Sequence, residues 1–103
     1  MRPPEGPLFR LAARNVENVQ AEIAQEKAAS LGRMASRLME ALKRLEEGSP
    51  AERPERLSAA GEALWYYVVQ REACGLRDVE TVLREYRVPR EVYLRMGLAR
   101  RSG

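Results

Sequence analysis

The side chains with chemical capacity in this chain are carboxylates and guanidiniums, because histidine is absent and cysteine occurs once. Without an imidazole there is no ordinary general base near neutral pH and no Ser-His or Cys-His nucleophile pair. Cys74 alone makes neither an intrachain disulfide nor a thiolate cluster for a metal. It falls where a helix is expected to end. The negative end of a helix dipole disfavours a thiolate there despite Arg71 and Arg77 nearby, so an inert, partly buried thiol is expected. Glu22 and Glu26 share a helical face, but on a charged helix that spacing more often gives solvated side chains than a working carboxylate pair. No catalytic residue, metal or cofactor is assigned, and the chain is expected not to be an enzyme.

One polar constellation stands out. If two helices pack antiparallel in the register developed below, Gln25, Glu26 and Lys27 come beside Cys74 to Asp78. Glu26, Lys27, Arg71, Glu72, Arg77 and Asp78 would then gather both signs of charge at a bend. A small recognition patch is one reading; a salt-bridge network pinning the bend, with Asp78 acting as a helix cap, is the favoured one.

The elements that must position these groups are helical. Ala63 to Val69, ALWYYVV, is an unbroken apolar and aromatic run that points in every direction around a helix, so cover is expected on all sides. From Asn15 to Glu47 the pattern is helical without a break. From Ala28 onward Leu31, Ala35, Leu38, Leu42 and Leu45 alternate spacings of three and four, the seam of a coiled coil. Val16, Val19 and Ile23 add a second apolar stripe at its N-terminal end. Asn15 reads as the N-cap and Gly48-Ser49-Pro50 as the stop. After the short connection GSPAERP, a second helix from about Glu55 to Ala73 should return antiparallel, with Leu57, Ala60, Leu64 and Val68 toward the first and Gly61 against Ala41. Gly75 ends it. Asp78 caps a short helix from Val79 to about Tyr86, and Pro89 opens a last one closed by Gly97. The expected fold is all-α: a long antiparallel helical hairpin plus two short C-terminal helices, in a dimeric helical bundle. Residues 1–14 are expected to form an extended arm, 15–97 a single helical domain and 98–103 a frayed tail.

Dimerisation follows from length. A helix over 15–47 is ~50 Å long at about 1.5 Å per residue, whereas a compact domain of this size is only ~35 Å across. It overhangs. The second helix covers the first back to about Ala28, which leaves Val16, Val19 and Ile23 for the C-terminal helices or for a second copy. A homodimer is favoured, with Val16, Val19, Ile23, Trp65, Tyr66 and Val69 at its interface.

The net charge of +3 is modest. Residues 84–103 hold six arginines against two glutamates, and Asp78 to Gly97 has the outline of a helix-turn-helix with Val88 after the turn and Arg90 and Arg95 on the second helix. A DNA-binding regulator is therefore the alternative reading. Against it, arginine is this chain's habitual cation throughout, Arg87 stands where a turn glycine is preferred, and the aromatic residues are not interleaved with cations as a base-stacking platform would need. A protein partner is possible; nucleic acid is disfavoured though not excluded. No apolar run is long enough to span a membrane and no secretory leader pattern is evident, so no membrane partner and a cytoplasmic location are expected.

Two stretches, AQEKAASLGR (24–33) and VQREACGLRD (69–78), followed by VPREV and RMG, resemble a family of small bacterial proteins of unknown function. The resemblance runs in order over about residues 20–97. It implies a small helical protein and carries over no catalytic residue.

Overall fold

The structure is a computed structural model; it describes residues 6–102, and side-chain burial for Gly6 and residues 15–97. Four helices follow in order, α1 (Pro7–Glu47), α2 (Arg53–Ala73), α3 (Val79–Glu85) and α4 (Arg90–Ser102), and there is no strand among the described residues. The all-helical expectation holds.

The ends differ from expectation. α1 starts at Pro7, directly after an extended Gly6. Proline is well placed there, since its missing N–H would have no helical partner in the first turn. The sequence that follows, LFRLAAR, has no breaker, so the helix continues and Asn15 lies inside it instead of capping it. The extended arm expected over 1–14 is thus helical from Pro7, with residues 1–5 outside the described ones. At the other end α4 passes through Gly97, the expected stop, and continues to Ser102, so the tail expected to fray is helical over 98–102 and Gly103 lies outside the described residues.

α1 stops at Gly48, and the connection to α2 is fixed by polar contacts. The Ser49 hydroxyl and amide donate to Glu52 Oε1 at 2.8 and 3.2 Å, and Arg56 Nη2 donates to Glu52 Oε2 at 2.6 Å. Arg56 also reaches back with Nη1 to the carbonyl oxygen of Arg44 at 2.5 Å, satisfying one of the free acceptors in the last turn of α1. Two turns further along, Arg37 pairs with Glu62 at 3.4 Å. These contacts lay α2 beside the C-terminal part of α1.

The core is small and continuous. Leu38 and Leu45 of α1 meet Leu57, Ala60, Ala63, Leu64, Tyr67 and Val68 of α2, Val82 of α3, and Val92 and Met96 of α4. Leu57, Ala60, Leu64 and Val68 recur at helical spacing, which is why a single face of α2 could be picked out from the sequence. α4 crosses the same helix close to Gly61. A Cβ on Gly61 would lie 2.7 Å from Arg95 Cβ and 3.1 Å from Met96 N, so the missing side chain serves the approach of α4, not the contact with Ala41 that the sequence suggested. Ala41 is only partly buried.

α2 ends at Ala73 with Cys74 as its C-cap, and Gly75 turns the chain in the left-handed region at φ 84°. Asp78 caps α3 as expected: Oδ1 accepts from the Thr81 amide at 3.3 Å, and the Thr81 hydroxyl donates to Oδ2. These hydrogen bonds hold the Asp78 carboxyl below its ordinary range. The α3–α4 turn is anchored to α2 by the Tyr86 hydroxyl, 3.3 Å from the Tyr67 hydroxyl, with the two rings edge to face at 5.5 Å. The described part of the molecule is long and thin, 71 × 25 × 22 Å.

Candidate functional site

The feature of the fold most open to an encounter is the N-terminal half of α1. Every residue from 15 to 29 is exposed, and from Asn15 onward Leu31 is the first α1 residue packed on the core. Val16, Val19 and Ile23 are 57, 52 and 50% exposed, high values for β-branched aliphatic side chains on one helical face. α4 does not fold back onto them, because it is seated against α2 at Gly61.

The aromatic run on α2 divides. Ala63, Leu64, Tyr67 and Val68 are buried, and Trp65 is partly buried against the core. Tyr66 and Val69 are exposed, so within one chain α2 keeps a wet side that the sequence pattern argued against. Part of that side is screened by a cation: the Arg37 guanidinium sits 4.9 Å from the Tyr66 ring centre while bonding to Glu62.

The six residues of the polar constellation do not form a hydrogen-bonded set among the described residues. Glu26 pairs with Arg33 at 3.0 Å along its own helix, with both side chains mostly exposed. Lys27, Glu72 and Arg77 are exposed without a described ion pair, Arg71 lies over the Tyr67 ring at 5.8 Å, and Asp78 is occupied by the α3 cap. Cys74 is partly buried.

Two clefts were not picked out from the sequence. One, of about 390 Å³, lies between α1 and α2 and is lined by charge of both signs, including Arg37, Glu40 and Arg44 facing Glu52, Glu55 and Glu62. Its best-defined carboxylate is Glu52, held down to about 2 by the Ser49 hydroxyl first and then by Arg56. That carboxylate is locked into the connection and is a poor proton acceptor. The second, about 590 Å³, lies between the end of α1 and the α3–α4 turn, with Met39, Leu42, Tyr86 and Pro89 in its wall. The available signal was weak in both cases: Arg37, Glu40 and Arg44 recur at spacings of three and four, a pattern that solvated helix faces share. No group of three His, Cys, Asp or Glu side chains is placed to hold a metal among the described residues, and no described helix is long and apolar enough to cross a membrane.

In the segment compared above with a DNA reader, α4 puts Val92 and Met96 into the core, and the Cβ of Arg95 faces Gly61. Arg90 is exposed on another side, so the two arginines do not share one reading face.

No curated protein and no solved structure matches the chain. A family model does, over residues 10–103, nearly the whole length. The sequence resemblance to a family without an assigned role is shown at that level, and the chain belongs to the family of unknown function DUF6665.

Proposed function

We propose that this protein is a non-enzymatic helical module, built on an antiparallel hairpin of α1 and α2, that works in the cytoplasm as a homodimer and acts through protein–protein association. The observation that carries this reading is the half-exposure of Val16, Val19 and Ile23 on a helical segment to which nothing among the described residues is packed. Fully burying one such side chain contributes roughly 1.5–3 kcal/mol, so a stripe of three repeated on two copies is a substantial drive toward association. Exposed Tyr66 and Val69 extend the apolar surface on α2. The experiment is the solution mass of the protein by light scattering over a range of concentrations. A dimeric mass supports the reading, and a monomer at tens of micromolar opposes it.

A DNA-binding role is the second reading. It is favoured by the length of α4, which at 13 residues is longer than the sequence pattern indicated, and by Arg87 at φ 50° giving the tight turn before it without a glycine. Binding to duplex DNA that weakens steeply as salt rises would support it; indifference to DNA would leave association alone.

A further inference from the structure

Two helices of this chain end in the same way. After α2 the Gly75 amide donates to the Glu72 carbonyl and the Leu76 amide to the Arg71 carbonyl, both at 2.9 Å. After α3 the Arg87 amide donates to the Arg84 carbonyl at 3.2 Å and the Val88 amide to the Leu83 carbonyl at 3.0 Å. In this paired closure the residue after the cap turns left-handed, a conformation that glycine adopts without steric cost. Gly75 fills the position after α2 at φ 84°, and Arg87 fills it after α3 at φ 50°. The turn itself does not call for arginine. What sets Arg87 apart from Gly75 is where its side chain lies.

Arg87 lines the cleft of about 590 Å³ between the end of α1 and the α3–α4 turn, where Met39, Leu42, Leu45 and Pro89 supply an apolar wall. The polar groups of the cleft are unequally engaged. Arg53 is bonded to Glu91 at 3.0 Å, and the Tyr86 hydroxyl is taken up by that of Tyr67. Lys43, Glu46 and Arg87 are exposed and take part in no ion pair among the described residues. Two cations against one carboxylate leave one positive charge unanswered beside the apolar wall. The cleft between α1 and α2 lacks this combination, because Arg37 and Arg56 are bonded there to Glu62 and Glu52, and Glu40 and Glu55 add further negative charge.

We propose that the cleft beside the α3–α4 turn binds a small organic monoanion, an unbranched acyl carboxylate whose chain lies along Met39, Leu42 and Pro89 and whose carboxylate meets Arg87 and Lys43. Its volume falls among small-ligand sites, which run to roughly 300–1,000 Å³. The guanidinium offers a fork of donors that matches the two oxygens of a carboxylate. A single negative charge balances the surplus, and a second would face Glu46. Met39 is half exposed, and its unbranched side chain can adjust to an acyl chain. The site is remote in sequence from the Val16, Val19 and Ile23 stripe and stands independently of the association reading.

Isothermal titration calorimetry of the full chain with sodium octanoate, and separately with 1-octanol, tests it. Arg87→Met keeps an apolar stem and removes the charge. Arg87→Gly suits the left-handed turn, so its urea midpoint should equal or exceed that of the unmodified protein. Met39→Glu sets a carboxylate in the wall at a half-exposed position. The expected result is saturable one-to-one binding of octanoate, weakened about tenfold or more in both Arg87 variants and for the uncharged alcohol, and lost in Met39→Glu. Absence of saturable binding at millimolar octanoate would overturn the site. Equal affinity for octanoate in Arg87→Met would overturn the role of the guanidinium, and binding unchanged by Met39→Glu would place the ligand elsewhere and overturn the assignment to this cleft.

Discussion

Gly61 and Arg95 are in mutual contact through their backbones: a Cβ at Gly61 would stand 3.0 Å from the Arg95 carbonyl carbon as well as 2.7 Å from its Cβ. The missing methyl sets how closely α4 lies on α2, and through Val92 and Met96 it sets how well that end of the core is closed.

Gly61→Ala should therefore destabilise the protein even though alanine is the better helix former. The intrusion meets backbone, which cannot swing aside, and overpacking of this kind costs about 1–3 kcal/mol. Gly32→Ala is the control. Gly32 is exposed in α1 with nothing within 4 Å of its absent Cβ, so the propensity term alone operates and a gain of up to about 1 kcal/mol is expected. Urea unfolding of the two variants should show midpoints displaced in opposite directions.

Leu64→Ala should cost about 2–5 kcal/mol, because Leu64 is fully buried at the centre of the cluster and its removal leaves a cavity among α1 and α2 side chains. Leu94→Ala, on the exposed side of α4, should stay within about 0.5 kcal/mol. Chemical denaturation of both variants checks the difference.

Acid should loosen the α1–α2 connection. The Glu52 carboxyl is lowered to about 2 from an ordinary 4.5, chiefly by the Ser49 hydroxyl. A folded-state pKa below the unfolded one contributes stability that is full above pH 4.5 and is lost as pH falls toward 2. Glu52→Gln should remove that part of the acid limb, giving a flatter stability profile between those limits in thermal melts run across pH.

Alkali acts at the other end of α2. Tyr86 is raised to about 12, first by its hydrogen bond with Tyr67 and then by burial. A raised pKa contributes stability fully present below about pH 10 and lost as pH climbs through 12. Titration of tyrosinate absorbance should show a late step near pH 12. Tyr86→Phe should abolish that late step and cost about 0.5–1.5 kcal/mol at neutral pH.

The interior was largely legible in the sequence and the ends were not. Leu38, Leu45, Leu57, Leu64 and Val68 could be named as facing residues because large aliphatics at spacings of three and four have few other uses. Gly61 was placed on the wrong neighbour, since a glycine signals close approach without saying by which helix. The start of α1 was missed because proline and glycine before Leu8 read as breakers, although proline in a first turn begins a helix as readily as it ends one. The polar constellation depended on charges meeting across two helices, yet Glu26 found Arg33 on its own helix and Asp78 found Thr81. Local partners satisfied both before any distant one was needed.

The most direct test of the central claim is the light-scattering mass of the unmodified chain measured beside that of Ile23→Glu, a substitution at a half-exposed position. The account predicts twice the chain mass for the unmodified protein and the single-chain mass for an equally helical variant. A single-chain mass for the unmodified protein at tens of micromolar, with α1 fully helical, would contradict it.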